Sequence, residues 1–172
     1  MQECAMRYGT SMGLLWIFKF ALFPLGLMIP FLQLLFLILT LGVPVVGYVF
    51  ARRFRDRHCE GGVLPFWRAF LFTVFMYMFA SMLVCVAHYI YFRYLDGGFV
   101  METYRTLLMQ VKESASAELM PFLQQYEEAL DLIAELSPLE LTFQMISNNI
   151  FMGVLMAIPT ALLVMRNKTK GQ

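Results

Sequence analysis

Three long stretches without a charged residue constrain what this chain can fold into more than any other feature. They are 32 residues between Lys19 and Arg52, 24 between Arg68 and Arg93, and 25 between Glu140 and Arg166. A helix needs about 20 apolar residues to cross roughly 30 Å of bilayer hydrocarbon, so each stretch is long enough. In lipid the backbone must satisfy its own N–H and C=O groups, and a helix does so within one segment. The composition agrees, since 60% hydrophobic and 15% charged residues lie outside soluble usage. The expected class is an all-α membrane protein.

The first stretch is too long for one crossing. Its apolar character runs from Ser11 to Ala51, and a single helix of that length would span about 61 Å, twice the hydrocarbon core. Pro24, Gly26 and Pro30 offer break points. The spacing predicts a hairpin, with helix one over 11–29 and helix two over 31–51. Helix three is expected over 69–92 and helix four within 138–172, which makes four crossings. Lys19 costs helix one about 2.5 to 3.5 kcal/mol, and the Leu, Ile and Phe residues between 14 and 29 offset about 3 to 6 kcal/mol on the same scale. No small-residue cleavage site follows helix one, so it is read as uncleaved. Cys4, Cys59 and Cys85 have no framework spacing and are expected as free thiols.

Orientation follows the basic residues. Arg52, Arg53, Arg55, Arg57 and Arg68 crowd the loop 52–68, and Arg166, Lys168 and Lys170 end the chain. By the positive-inside rule both segments, and both termini, are cytoplasmic. The segment 93–140 holds nine acidic residues against Arg93, Arg105 and Lys112 and is expected outside. Phe66 and Trp67 mark the inner end of helix three, and Tyr89, Tyr91 and Tyr94 its outer end.

The outer segment carries helical periodicity. Tyr104, Leu107, Leu108 and Val111, then Leu119, Phe122, Leu123, Tyr126, Leu130 and Ile133, recur at the spacing of two amphipathic helices broken near Pro121. The expected organisation is therefore membrane helices one to three over 1–96, an extracytoplasmic helical insert over 97–137, and helix four with its basic tail over 138–172. Ser137, Pro138 and Glu140 form a capping box with proline at the first helical position, which starts helix four.

Several of these residues are similar to a known pattern. Phe54, Arg55 and Asp56, then Gly61 and Gly62, then Phe66, Ala69 and Phe70, followed by Tyr89, Tyr91, Tyr94, Leu95 and Asp96, resemble the membrane proteins grouped as domain of unknown function 4199, found mostly in Bacteroidetes. The resemblance covers nearly the whole chain. Pro65 stands in place of a small hydroxyl residue and Gly97 in place of a proline. The resemblance implies a bacterial inner membrane, a four-helix layout and association with polyprenyl-phosphate or envelope-glycan machinery. It carries no catalytic residue.

The residues offer three candidate sites. Arg52, Arg53, Arg55, Arg57 and Arg68 could bind anionic lipid phosphates, although such residues also fix topology. Lys19, His88, Asn148 and Asn149 are polar groups inside the membrane, where such residues serve as interhelical glue or line a pathway. Leu119, Leu123, Tyr126, Leu130 and Ile133 form a stripe that docks either on the chain's own bundle or on a partner. Cys85 and His88 share a helix face, but two ligands make no metal site. No nucleophile turn, zinc helix or nucleotide loop is visible, and Glu127, Glu128, Asp131 and Glu135 read as a solvated face.

These features point to a non-enzymatic accessory or scaffold subunit of an inner-membrane complex. Its expected partners are the bilayer and a membrane protein or a second copy, with no cofactor, no metal and no nucleic acid. The rival reading is a small carrier or lipid-handling protein that holds anionic headgroups at the arginine loop.

Overall fold

The structure, a computed structural model, describes residues 1–166, so Lys168 and Lys170 lie outside the described residues. It is helical throughout: α1 (Gln2–Met28), α2 (Pro30–His58), α3 (Phe66–Ile90), α4 (Phe99–Ser114), α5 (Met120–Ala134) and α6 (Pro138–Val164). Helices α1, α2, α3 and α6 are long and apolar enough to cross a membrane, the third of them with its extension to Leu95. The chain is thus a membrane protein with four candidate spans. It divides into two compact units, one of Met1–Ala87 with the chain from Met145 on, the other His88–Gln144.

Proline decides where the first apolar stretch breaks. Ile29 is extended (φ −125°, ψ 104°) and Pro30 opens α2, because a residue before proline is pushed out of the helical region. Pro24 stays inside α1 and Pro44 inside α2. Helix α1 differs from the expected 11–29 by beginning at Gln2. Its first turns lack an apolar run, so hydropathy passes over them, yet Ala5 and Gly9 are buried there.

A second difference concerns the arginines. Arg52, Arg53, Arg55 and Arg57 were expected in a loop but occupy the last turns of α2, which ends only at His58. Arginine is a good helix former, and cations suit a helix C-terminus. The true connection is short, with Gly61 and Gly62 at φ 61° and 65°. It is pinned when Leu64 and Arg166 exchange backbone hydrogen bonds of 2.9 and 2.8 Å.

Small residues let the first unit close. Gly9 and Gly13 of α1 lie so near α3 that a Cβ on either would meet Phe79 Cβ at 2.7 Å or Leu83 Cδ2 at 2.8 Å. Such close backbone approach is how membrane helices gain dispersion contacts that hydrophobicity alone cannot supply in lipid. Tyr77 of α3 is 1% exposed and sits at the centre. Its ring stacks on Trp16 of α1 (centroids 5.8 Å), its hydroxyl covers Gly47 of α2, and its Cβ lies 2.8 Å from where a Gly153 Cβ in α6 would be. Toward the termini, Phe54 and Phe72 stack at 4.0 Å, with Tyr8 against Phe50 and Phe72.

In the second unit, a wide turn over Tyr91–Leu95 follows α3. The Asp96 carboxylate then accepts hydrogen bonds from the N–H groups of Gly98 (3.1 Å) and Val100 (3.2 Å), capping α4. Helices α4 and α5 pair antiparallel through Arg105–Asp131 at 2.8 Å and Lys112–Glu127. Pro121 lies in the first turn of α5, so the break precedes it. At α6, the Ser137 N–H donates to Glu140 (2.8 Å) and the Glu140 N–H to Ser137 Oγ (3.3 Å), the reciprocal box expected there.

Candidate functional site

Three places carry polar or unpartnered chemistry. The first is the arginine-rich end of the first unit. Arg55 is only 17% exposed and divides its guanidinium between Asp56 (2.8 Å) and the Val164 carbonyl, to which Nη1 donates at 3.1 Å. Val164 is the last residue of α6, so Arg55 satisfies an orphan carbonyl where the helix dipole favours a cation. Arg52 lies 3.7 Å from Asp56. Arg53, Arg57 and Arg68 are exposed. A cavity of about 520 Å³ gathers Arg57 and His58 with Arg7, Glu3, Cys4, Tyr8 and Ser11, so Arg7 joins the cluster only in three dimensions. Burial pushes the nearby Cys59 thiol up, while Arg68 and Arg55 pull it the other way.

The second place is inside the membrane-spanning helices. A cavity of about 400 Å³ is lined by Trp16 and Lys19 of α1, Thr40, Leu41, Val43 and Pro44 of α2, Tyr77 of α3, and Asn149, Met152, Gly153 and Met156 of α6. The Lys19 ammonium lies 5.9 Å from the Trp16 ring centroid and 5.4 Å from that of Phe36. It has no carboxylate within reach along the spans, since Asp and Glu are absent from 4–55, from 61–95 and beyond 140. Two cation–π contacts at about 0.5 to 2 kcal/mol each offset an amount comparable with the insertion cost of about 2.5 to 3.5 kcal/mol, and neither supplies a hydrogen-bond acceptor to the ammonium. The buried Trp16 Nε1 and Tyr77 hydroxyl have no hydrogen-bond partner among the described residues. Pro44 supplies no N–H to the Thr40 carbonyl, and the Thr40 hydroxyl is spent on Phe36 O at 2.8 Å.

Of the four intramembrane polar residues singled out in the sequence, the structure brings Lys19 and Asn149 to one cavity. Asn148, one residue along, is exposed, and His88 is buried in the other unit. Trp16 and Tyr77 were not singled out, because an isolated aromatic in an apolar helix gives no sign that its polar atom lacks a partner. Among the described residues no three His, Cys, Asp or Glu side chains are placed so as to hold a metal ion.

The third place is the α4–α5 hairpin. Leu108 and Leu130, 6% and 5% exposed, fill its seam, and the two ion pairs close one flank. At 100° per residue, Leu107 and Val111 of α4, and Leu119, Phe122, Tyr126 and Ile133 at α5, turn to the other flank. All six are exposed, Phe122 by 69%. The stripe expected as a docking surface therefore divides: Leu130 belongs to the seam, Leu123 is half-buried, and Leu119, Tyr126 and Ile133 stay open. Burial and the neighbouring Tyr126 push the Tyr104 phenol up.

A family model described as protein of unknown function (DUF4199) matches residues 7–166. No curated protein and no solved structure matches the chain.

Proposed function

The chain belongs to the family of proteins of unknown function DUF4199, and from that premise we propose that it is a non-enzymatic accessory or scaffold subunit of a bacterial inner-membrane complex. In this reading both termini and the arginine-rich end are cytoplasmic, and the α4–α5 hairpin is an extracytoplasmic docking element for a second membrane protein. The Bacteroidetes source and the link to polyprenyl-phosphate or envelope-glycan machinery belong to the same proposal. The observation that carries it is the open apolar flank of the hairpin, centred on Phe122 and Tyr126. Contiguous exposed apolar surface of this kind marks interaction sites.

A photo-crosslinking residue placed in turn at Leu119, Phe122, Tyr126 and Glu128 of the full chain, in living cells, tests the reading. The proposal expects one discrete protein adduct at the first three positions and none at Glu128, with Phe122→Asp abolishing it. Adducts that ignore the helical face, or that contain only lipid, contradict it.

The rival lipid-handling reading at the arginine end is supported by the exposed Arg53, Arg57 and Arg68 and narrowed by Arg55, whose donors are already engaged. It expects Arg53→Gln with Arg57→Gln to abolish copurification of anionic lipid without loss of insertion. Unchanged lipid retention would end it.

A further inference from the structure

We infer that the cavity around Lys19 binds the anionic head of a single-chain amphiphile, a carboxylate or a phosphate, with the tail lying along the apolar part of the same wall. The charge is in place before any ligand arrives, and the two buried donors come within a ligand's reach when the Trp16 and Tyr77 side chains shift. Lys19 brings an ammonium, and Trp16 Nε1 and the Tyr77 hydroxyl are buried donors with no partner among the described residues. Asn149 adds an amide on the facing helix. A carboxylate or phosphate oxygen accepts several such bonds at once, and charge-assisted bonds of this type are the strong ones.

The location selects an amphiphile over a free ion. Lys19 is nine residues from the Met28 end of α1, about 14 Å along the axis, and apart from Thr40 the rest of the wall is apolar, with Leu41, Val43, Pro44, Met152 and Met156. Leu41 and Met152 at the rim are 69% and 45% exposed, so the cavity opens between helices toward whatever surrounds the bundle, which in a membrane is lipid. A volume of about 400 Å³ falls within the range of small-molecule sites, about 300 to 1,000 Å³, and exceeds what a bare anion needs. The inference goes beyond the scaffold reading and fails independently of it, because no hairpin residue enters the cavity.

Native mass spectrometry of the full-length protein, released from phosphatidylcholine nanodiscs, tests this with four probes: hexadecanoate, hexadecyl phosphate, hexadecanol and inorganic phosphate. One copy of hexadecanoate or hexadecyl phosphate is expected to bind, the tighter of the two identifying the head. Hexadecanol is expected to bind at least about tenfold more weakly, and millimolar inorganic phosphate to leave the adduct intact. Lys19→Gln, which eases insertion by removing a charge, should weaken the adduct about tenfold or more. Asn149→Ala and Tyr77→Phe should do so by smaller factors, and Arg105→Gln in the hairpin should have no effect. A Trp67→Phe background leaves Trp16 as the only tryptophan, whose emission should shift on saturation with the acid but not the alcohol. Equal binding of hexadecanol, displacement by inorganic phosphate, or wild-type binding in both Lys19→Gln and Asn149→Ala would overturn the inference.

Discussion

The two units of this chain solve the same problem, burying apolar side chains between helices, by opposite means. In the first, glycine and alanine bring backbones close and let Tyr77 reach Trp16, Gly47 and Gly153 together. In the second, a seam of few side chains, with Leu108 and Leu130 at its centre, is closed by Arg105–Asp131 and Lys112–Glu127 on its polar flank. Packing among the apolar spans depends on shape, whereas the hairpin adds ion pairs on one flank and leaves apolar side chains exposed on the other. That leftover surface is what the scaffold proposal uses, and the cavity around Lys19 is what the amphiphile inference uses.

The contrast breaks first at glycine. Gly47→Ala forces a methyl into the Tyr77 hydroxyl and should destabilise the first unit by about 1 to 3 kcal/mol, the usual cost of overpacking. Most of that loss should disappear in a Tyr77→Phe background, as a thermal-unfolding double-mutant cycle in detergent would read out. If the two substitutions are additive, the tight contact is not what sets the cost.

Next in size is Arg55→Gln. It removes the charged donor at the Val164 carbonyl and should cost about 1 kcal/mol, while Arg53→Gln, with no such bond, should be near neutral. Equal melting temperatures for the two variants would show that Arg55 acts only through charge.

The exposed ion pairs of the hairpin should each contribute less. Arg105→Gln or Lys112→Gln should each loosen the hairpin by about 0.2 to 1 kcal/mol, a loss that fades at high salt. Amide exchange in α4 and α5 would show it, with α1 and α3 unchanged. Exchange that is insensitive to both substitutions would assign the hairpin's stability to its seam alone.

The smallest effect is one of pH. The Tyr104 phenol ionises above its ordinary value near 10 because burial, then Tyr126, opposes its charge. Its contribution to stability is therefore complete below about pH 10 and is lost as pH rises toward the folded value. Tyr104→Phe should remove that alkaline loss from the hairpin's exchange profile.

Much of the fold can be read from local chemistry. Pro30 after Ile29 determines the hairpin break, and Ser137 with Glu140 determines the start of α6, because each acts within one turn of chain. The N-terminal turns of α1 were missed because hydropathy averages over Gln2–Thr10, although Ala5, Gly9 and Gly13 at spacing four are a small-residue stripe that the sequence already contained. The apolar stretch stops at Ala51 and so places the arginines in a loop, whereas helix propensity carries α2 on to His58. For the sites, Lys19 and Asn149 were visible as polar residues in apolar helices. That they share a cavity, and that it is walled by Trp16 and Tyr77 with their buried unpartnered donors, depends on how four helices pack, which no single helix encodes.

Membrane disposition is the claim on which the rest stands. With Cys4, Cys59 and Cys85 replaced by serine, a membrane-impermeant maleimide should label Glu128→Cys in intact cells and Arg57→Cys only after permeabilisation. Labelling of Arg57→Cys in intact cells, with Glu128→Cys protected, would contradict the account.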